Sequence, residues 1–261
     1  MAKSISPITW PGGKSKKWDL IKSFFPSNTS EMYYHEPFFG GGSVGLNSLN
    51  EGLFKKYYFN DKNSELMCFW TNISKVNLNE YSFYPNINLK NLDLICRLSE
   101  KYIQFLINNN LGFNGLPKST WTQKRLQQNW NINKFERIQK CALCIYQNRD
   151  KIKFSNWDCF FFYDKIKEYE HKKFWYLDPP YFDVETKIYK YNDINSSDLL
   201  CLVTNIDRDG GKFLLSINNS DNIKKKFKKF NIVEREWKYT MTNNSKQKAC
   251  KLGKELFIKN Y

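Results

Sequence analysis

Asp178-Pro179-Pro180-Tyr181 is the group of residues in this chain best suited to chemistry. Two successive prolines remove two backbone donors and fix the direction of the chain. They hold a carboxylate, a backbone carbonyl with no waiting partner and a phenol ring in one small rigid cluster. Such a cluster can accept both hydrogens of an exocyclic amine while the ring stacks on the base. A second segment is Glu36-Pro37-Phe38-Phe39-Gly40-Gly41-Gly42-Ser43. Its glycines allow a tight turn and the close approach of a ligand to the backbone. No Gly-Lys-Ser/Thr follows, so it is not a P-loop. The third element is Asp61, about 20 residues further on, where a doubly wound nucleotide site places a carboxylate that accepts from ribose hydroxyls.

The elements that must position these residues are short apolar runs with helical patterns between them. The runs lie at 32–38, 56–61, 151–158, 174–178, 212–218, 231–239 and 255–259. Helices are predicted over 15–25, 43–51, 64–72 and 198–208, with Ser64 and Asp198 near the N-caps of the last two. This alternation predicts an α/β fold with a mainly parallel sheet covered on both faces. The glycine segment, Asp61 and Asp178 then follow the first, second and fourth strands. Residues 66–150 break the pattern. They carry an asparagine run at 108–110, Gly112, Gly115 and Pro117, and two tryptophans among Lys, Arg, Gln and Asn. They read as a largely helical insert between the second and third strands, which leaves 1–65 and 151–261 as the main domain.

Composition narrows the class. The chain has 261 residues, 17% of them aromatic, and a net charge of +15. So many aromatics exclude a disordered chain. The charge points to a polyanionic partner more readily than to a small acidic metabolite. It is uneven: residues 118–153 hold nine basic and two acidic side chains, and residues 212–254 hold twelve and three. The remainder is near neutral. No apolar run reaches the roughly 18 residues of a membrane span, and no secretory leader is visible. Seven scattered cysteines predict reduced thiols in a cytosolic compartment, with Cys141 and Cys144 as small apolar residues of a helix. His35 and His171 read as structural or surface residues, and no metal site of the usual ligand spacing is expected.

In this order and at these spacings the motifs resemble the D12-class N6-adenine DNA methyltransferases, the group that includes the Dam enzymes. The resemblance runs nearly end to end. It begins at Thr9-Trp10-Pro11-Gly12-Gly13-Lys14, continues through the glycine segment, Asp61, Phe113-Asn114-Gly115-Leu116 and Asp178–Tyr181, and closes on Glu255-Leu256-Phe257-Ile258-Lys259-Asn260-Tyr261. It implies a Rossmann-like S-adenosylmethionine-dependent methyltransferase fold, a seven-stranded mostly parallel sheet with a helical target-recognition insert. Trp10 and Lys14 would contact S-adenosylmethionine. Glu36, Pro37, Phe38, Gly40, Gly42 and Ser43 would wrap its methionine and ribose portions, with Phe38 or Phe39 as an apolar wall. Asp61 would bind the ribose hydroxyls, and Asp158 and Phe160 would lie near its adenine. Asp178, Pro179, Pro180 and Tyr181 would hold a flipped-out adenine during direct methyl transfer that requires no metal.

The partner implied is double-stranded DNA, and the compartment the cytoplasm of a bacterial or viral host. Target recognition would fall to the insert, whose Lys118, Trp121, Lys124, Arg125 and Gln128 are of the types that read base edges and wedge the stack. Thr9 and residues 121–124 depart from the members that methylate GATC, so no recognition sequence is read. The same fold can serve other exocyclic amines, cytosine N4 in DNA or adenine in RNA. A basic DNA-binding module that has lost catalysis is the alternative of a different class.

Overall fold

The structure is a computed structural model and describes residues 5–75, 96–97, 99–112, 121–129, 132–180, 194–238 and 252–261. The strands are β1 (Tyr33–Glu36), β2 (Lys56–Asn60), β3 (Ile152–Ser155), β4 (Lys173–Leu177), β5 (Lys212–Asn218), β6 (Asn231–Lys238) and β7 (Leu252–Lys259). They form one seven-stranded sheet in the order β3-β2-β1-β4-β5-β7-β6. The pairs from β3 across to β5 are parallel, while β7 runs antiparallel to both β5 and β6. The expected mostly parallel seven-stranded α/β sheet is therefore present. Strand order reverses between β1 and β4, where open sheets of this kind bind ligands beyond the carboxyl ends of their strands.

Described helices are α1 (Trp18–Lys22), α2 (Ser43–Asn50), α3 (Ser64–Asn72), α4 (Lys101–Leu111), α5 (Gln123–Asn129), α6 (Ile132–Gln147), α7 (Cys159–Lys167), α8 (Ser196–Arg208) and α9 (Asp221–Lys226). Successive strand residues point to opposite faces, and both faces are covered, so the strands are apolar at nearly every position. Tyr34, Tyr57, Phe59, Phe174, Tyr176, Leu214 and Phe257 pack with α1 to α6. Tyr58, Trp175, Leu177, Phe213, Leu215, Ile217, Leu256 and Ile258 pack with α7, α8 and α9. Helices from residues 66–150 thus share one core with the sheet, through Leu66, Trp70, Leu106, Leu126, Ile138 and Cys141 among others. Cys141 and Cys144 are buried, and burial pushes both thiols up, as apolar helix residues require.

Local chemistry sets the boundaries. Pro37 offers no N–H to extend β1. β3 ends at Ser155, short of the run to 158, because Asn156 and Asp158 spend their side chains elsewhere: Asn156 donates to the Asp61 carbonyl, and Asp158 caps α7. The predicted helix over 15–25 is a 3₁₀ turn (Ser15–Lys17) followed by the short α1. α3 is capped by Asn63, one residue before Ser64. Asn195 caps α8 in a capping box with Asp198 as the reciprocal partner.

Candidate methyl-transfer site

The carboxyl ends of β1, β2 and β3 are tied together by Asn60, the fully buried last residue of β2. Its Nδ2 donates to the Pro37 carbonyl (3.1 Å) and the Trp157 carbonyl (2.9 Å). Its Oδ1 accepts from the Trp157 N–H (3.0 Å) and the Ser155 hydroxyl (2.8 Å). One amide therefore uses both ends to fix the start of the glycine segment and the turn after β3. Asp61 comes next in the chain. Its Oδ2 accepts from the Gly40 N–H at 2.8 Å and its Oδ1 from the Asn63 N–H at 2.9 Å. Burial raises its pKa to about 6 against the opposing effect of those two donors. By surface area the residue is half-buried, at the carboxyl end of β2.

The glycine segment has its conformation for reasons internal to the protein. Gly40 and Gly42 have φ of +48° and +65°, the left-handed region. A Cβ on Gly40 would lie 2.7 Å from Trp10 Nε1, and one on Gly41 would lie 2.7 Å from Trp10 Cβ. Trp10 thus packs directly on the loop. Trp70 Nε1 donates to the Gly40 carbonyl at 2.9 Å, and the Ser6 hydroxyl donates to the Gly41 carbonyl at 2.5 Å. The N-terminal segment carrying Trp10 is itself held from α4. Asn109 accepts from the Thr9 N–H and donates to the Thr9 carbonyl, both at 2.8 Å. Ser43 opens α2 and shares a hydrogen bond with Ser15.

Glu36 turns inward. It is 2% exposed, accepts from the Tyr34 hydroxyl at 2.9 Å and sits where a Cβ on Gly45 would meet it at 2.3 Å. Burial holds its carboxyl well above the usual range, and the nearby Asp178 and Asp61 push the same way. Phe39 also faces the core, stacked on Phe59 at 4.2 Å, so Phe38 is the half-buried ring of the pair.

Asp178 follows β4. Lys14 donates to its Oδ1 at 2.7 Å and the Ser216 hydroxyl donates to the same oxygen at 2.9 Å. Lys14 is 4% exposed and lies 3.2 Å from Glu255 Oε1. Tyr176, also fully buried, hydrogen-bonds Ser216 at 3.1 Å. Topology explains the gathering. Tyr176, Ser216 and Glu255 point to the α1–α6 face with Phe174, Leu214 and Phe257. Because β7 runs antiparallel to β5, its early residue Glu255 pairs with Asn218 at the carboxyl end of β5.

An anchored carboxylate thus follows β4, and a second carboxylate that holds the glycine loop follows β2. The family model described as D12 class N6 adenine-specific DNA methyltransferase matches residues 10–241. The chain belongs to that class. Relatives agree. The chain is 27% identical over 197 residues to a DNA adenine methylase of Salmonella typhi, a match covering 69% of this chain and 66% of that enzyme. It is 26% identical over 303 residues to modification methylase StsI of Streptococcus sanguinis, covering 98% of this chain and 43% of the relative. It is 26% identical over 284 residues to type II methyltransferase M1.LlaDCHI of Lactococcus lactis subsp. cremoris, covering 99% and 96%. The chain thus spans somewhat less than two thirds of the Salmonella enzyme and less than half of StsI.

In this D12 chain, direct contacts join Trp10 to Gly40 and Gly41, Gly40 to Asp61, and Lys14 to Asp178, while Phe38 packs against the α7–α9 core and Pro179 is buried just past β4. Asp158 lies past β3 as the exposed N-cap of α7, accepting from the Phe160 and Phe161 N–H groups at 3.0 Å each. Phe160 is half-buried against the α7–α9 core. Pro180 is half-buried. Lys124 and Gln128 are exposed on α5, Arg125 is half-buried, and Trp121 precedes the helix, packed on the core. Tyr181, Lys118 and residues 113–116 lie outside the described residues. His35 is fully buried between Tyr58 and Trp175, with a ring nitrogen 3.4 Å from His171. Burial holds both imidazoles below their usual range, His171 at about 4, so the pair is neutral near pH 7. No group of three metal-ligating side chains occurs among the described residues. Asn60, Asn109 and Ser216 were not singled out from the sequence. The one signal for Asn60 was its place before a strand-end aspartate.

Proposed function

We propose that the protein transfers a methyl group from S-adenosylmethionine to N6 of an adenine flipped out of double-stranded DNA, in the cytoplasm of its host. The observation carrying this reading is the anchoring of Asp178: Lys14 and Ser216 both donate to its Oδ1, just past β4 and ahead of Pro179 and Pro180. Oδ2 and the Pro179 carbonyl would then be the two acceptors for the two hydrogens of an exocyclic amine.

The residues present fit the methyl donor. Asp61 is half-buried with one backbone donor on each oxygen, which leaves it lone pairs for a pair of ribose hydroxyls. Trp10, Phe38 and the segment from Glu36 to Ser43 would hold the rest of the molecule, with Asp158 and Phe160 at its base. When bound, S-adenosylmethionine supplies a methyl on a positively charged sulfur. The chain's own task is the nucleophile. The N6 lone pair of adenine is delocalised into the ring. Hydrogen bonds to Asp178 Oδ2 and the Pro179 carbonyl favour a tetrahedral nitrogen with a localised lone pair. Lys14 holds Asp178 in place and Glu255 balances its charge. Positioning and electrostatics then supply the acceleration. Tyr181 would stack on the extruded base and offset part of its unstacking. Residues 66–150 would read the target, through Lys118, Trp121, Lys124, Arg125 and Gln128.

Asp178→Ala tests the reading. It is expected to abolish transfer of labelled methyl to DNA while DNA binding and donor binding stay near wild type. Wild-type transfer by that variant would overturn the role given to Asp178.

A further inference from the structure

We propose that Ser216 is a positioning residue for methyl transfer: its hydroxyl, ordered by Tyr176, sets the rotation of Asp178 so that Oδ2 meets the target amine. The inference rests on the role of Asp178 given above.

The proton count fixes the direction of the chain of bonds. Asp178 Oδ1 is an acceptor, so the single Ser216 proton goes to it at 2.9 Å. The Tyr176 hydroxyl, 3.1 Å away, must then donate to Ser216 Oγ. Both residues are fully buried, so water does not compete for either bond. The sequence Tyr176 to Ser216 to Asp178 polarises in one direction, and each bond strengthens the next. The chain is closed at its Tyr176 end by the core. It is therefore built to orient the carboxylate rather than to carry protons to solvent.

A carboxylate turns about its last side-chain torsion in a broad well. Its two oxygens turn together, and Lys14 alone, on a long flexible stem, restrains that swing only loosely. Ser216 approaches the same oxygen from β5, whereas Lys14 comes from the turn before α1. Two donors from different elements remove the swing. The register between β4 and β5, Tyr176 opposite Leu214 and Leu177 opposite Leu215, brings Asp178 alongside Ser216. The anchor thus depends on the pairing of two strands that are buried at nearly every position.

The test compares single-turnover methyl transfer by the full chain with Ser216→Ala, Tyr176→Phe, Ser216→Thr and Asp178→Ala. Removing a charge-assisted hydrogen bond at the reacting group is expected to slow Ser216→Ala by roughly 10- to 100-fold. KM for DNA and donor affinity should stay within about twofold. Tyr176→Phe loses less, in the same parameter, and Ser216→Thr recovers most of the rate. Tyr176→Phe adds no volume, so it carries the test if a Ser216 variant fails to fold. Wild-type rates in both Ser216→Ala and Tyr176→Phe, with Asp178→Ala inactive, would overturn the positioning role alone. So would a loss confined to KM. An active Asp178→Ala would instead overturn the role of Asp178 itself.

Discussion

Asp61 takes one backbone N–H on each oxygen, and its pKa still rises to about 6. Its folded value lies above the unfolded one. The folded protein therefore binds the extra proton first as pH falls, and the ionised carboxylate is a cost to the fold above about pH 6 that protonation relieves. Donor binding runs the other way, because ribose hydroxyls donate best to the ionised form. Affinity for S-adenosylmethionine is expected to be full above about pH 6 and to fall by about tenfold per unit below it. Asp61→Asn should bind weakly at every pH and lose this limb. Calorimetry across about pH 5 to 8 reads both effects; an acid limb that survives in Asp61→Asn would assign it to another group. At this scale the residue types were informative. Asp61, Asp178 and the glycines were legible because each follows an apolar strand run. Ser216 was not, since a lone serine in Lys212–Asn218 looks like any other residue of a buried strand. Its meaning comes from Asp178, 38 positions earlier in the chain.

Element packing explains why Gly45, two residues past the glycine segment, tolerates so little. Gly45 in α2 faces Glu36 Oε2 and Phe59, and a Cβ there would lie 2.3 Å and 2.6 Å from them. Gly45→Ala is expected to destabilise the fold by about 1–3 kcal/mol through overpacking, and to weaken donor binding as Glu36 and the loop shift. Chemical denaturation with an unchanged slope checks the first part, and a midpoint equal to wild type would contradict it. The strands were readable as apolar runs because both faces of the sheet are covered. Their ends were less readable, because side-chain bonds decide them. The asparagine run at 108–110 lies in the stretch expected to be largely helical. It is the last turn of α4, where Asn109 clamps the Thr9 backbone and Asn110 donates to the Leu106 carbonyl. Polar residues signal a loop only when nothing inside the fold needs their bonds.

Across the whole molecule, the charge excess marks where a polyanion would lie. α5 exposes Lys124, and the segment from α9 to β6 exposes Lys225, Lys228 and Lys229. Lys224 pairs with Glu234 and Lys226 with Ser196 and Ser197, so these two also organise the surface. If these four exposed lysines release counterions from DNA, affinity should fall by roughly a hundredfold between about 50 and about 200 mM salt. A flat salt dependence in a titration would return the charge to ordinary surface lysine. Strand order was not legible from composition or spacing. Placing β4 beside β1 brings Asp178 to Lys14, 164 positions apart in the chain.

The most direct measurement is to incubate the protein with adenine- and cytosine-containing DNA and labelled S-adenosylmethionine, digest the product to nucleosides and identify the labelled one. Label in N6-methyldeoxyadenosine is the expected result, and it should vanish with Asp178→Ala. Label in N4-methyldeoxycytidine, or no label in DNA at all while the donor still binds, would contradict it.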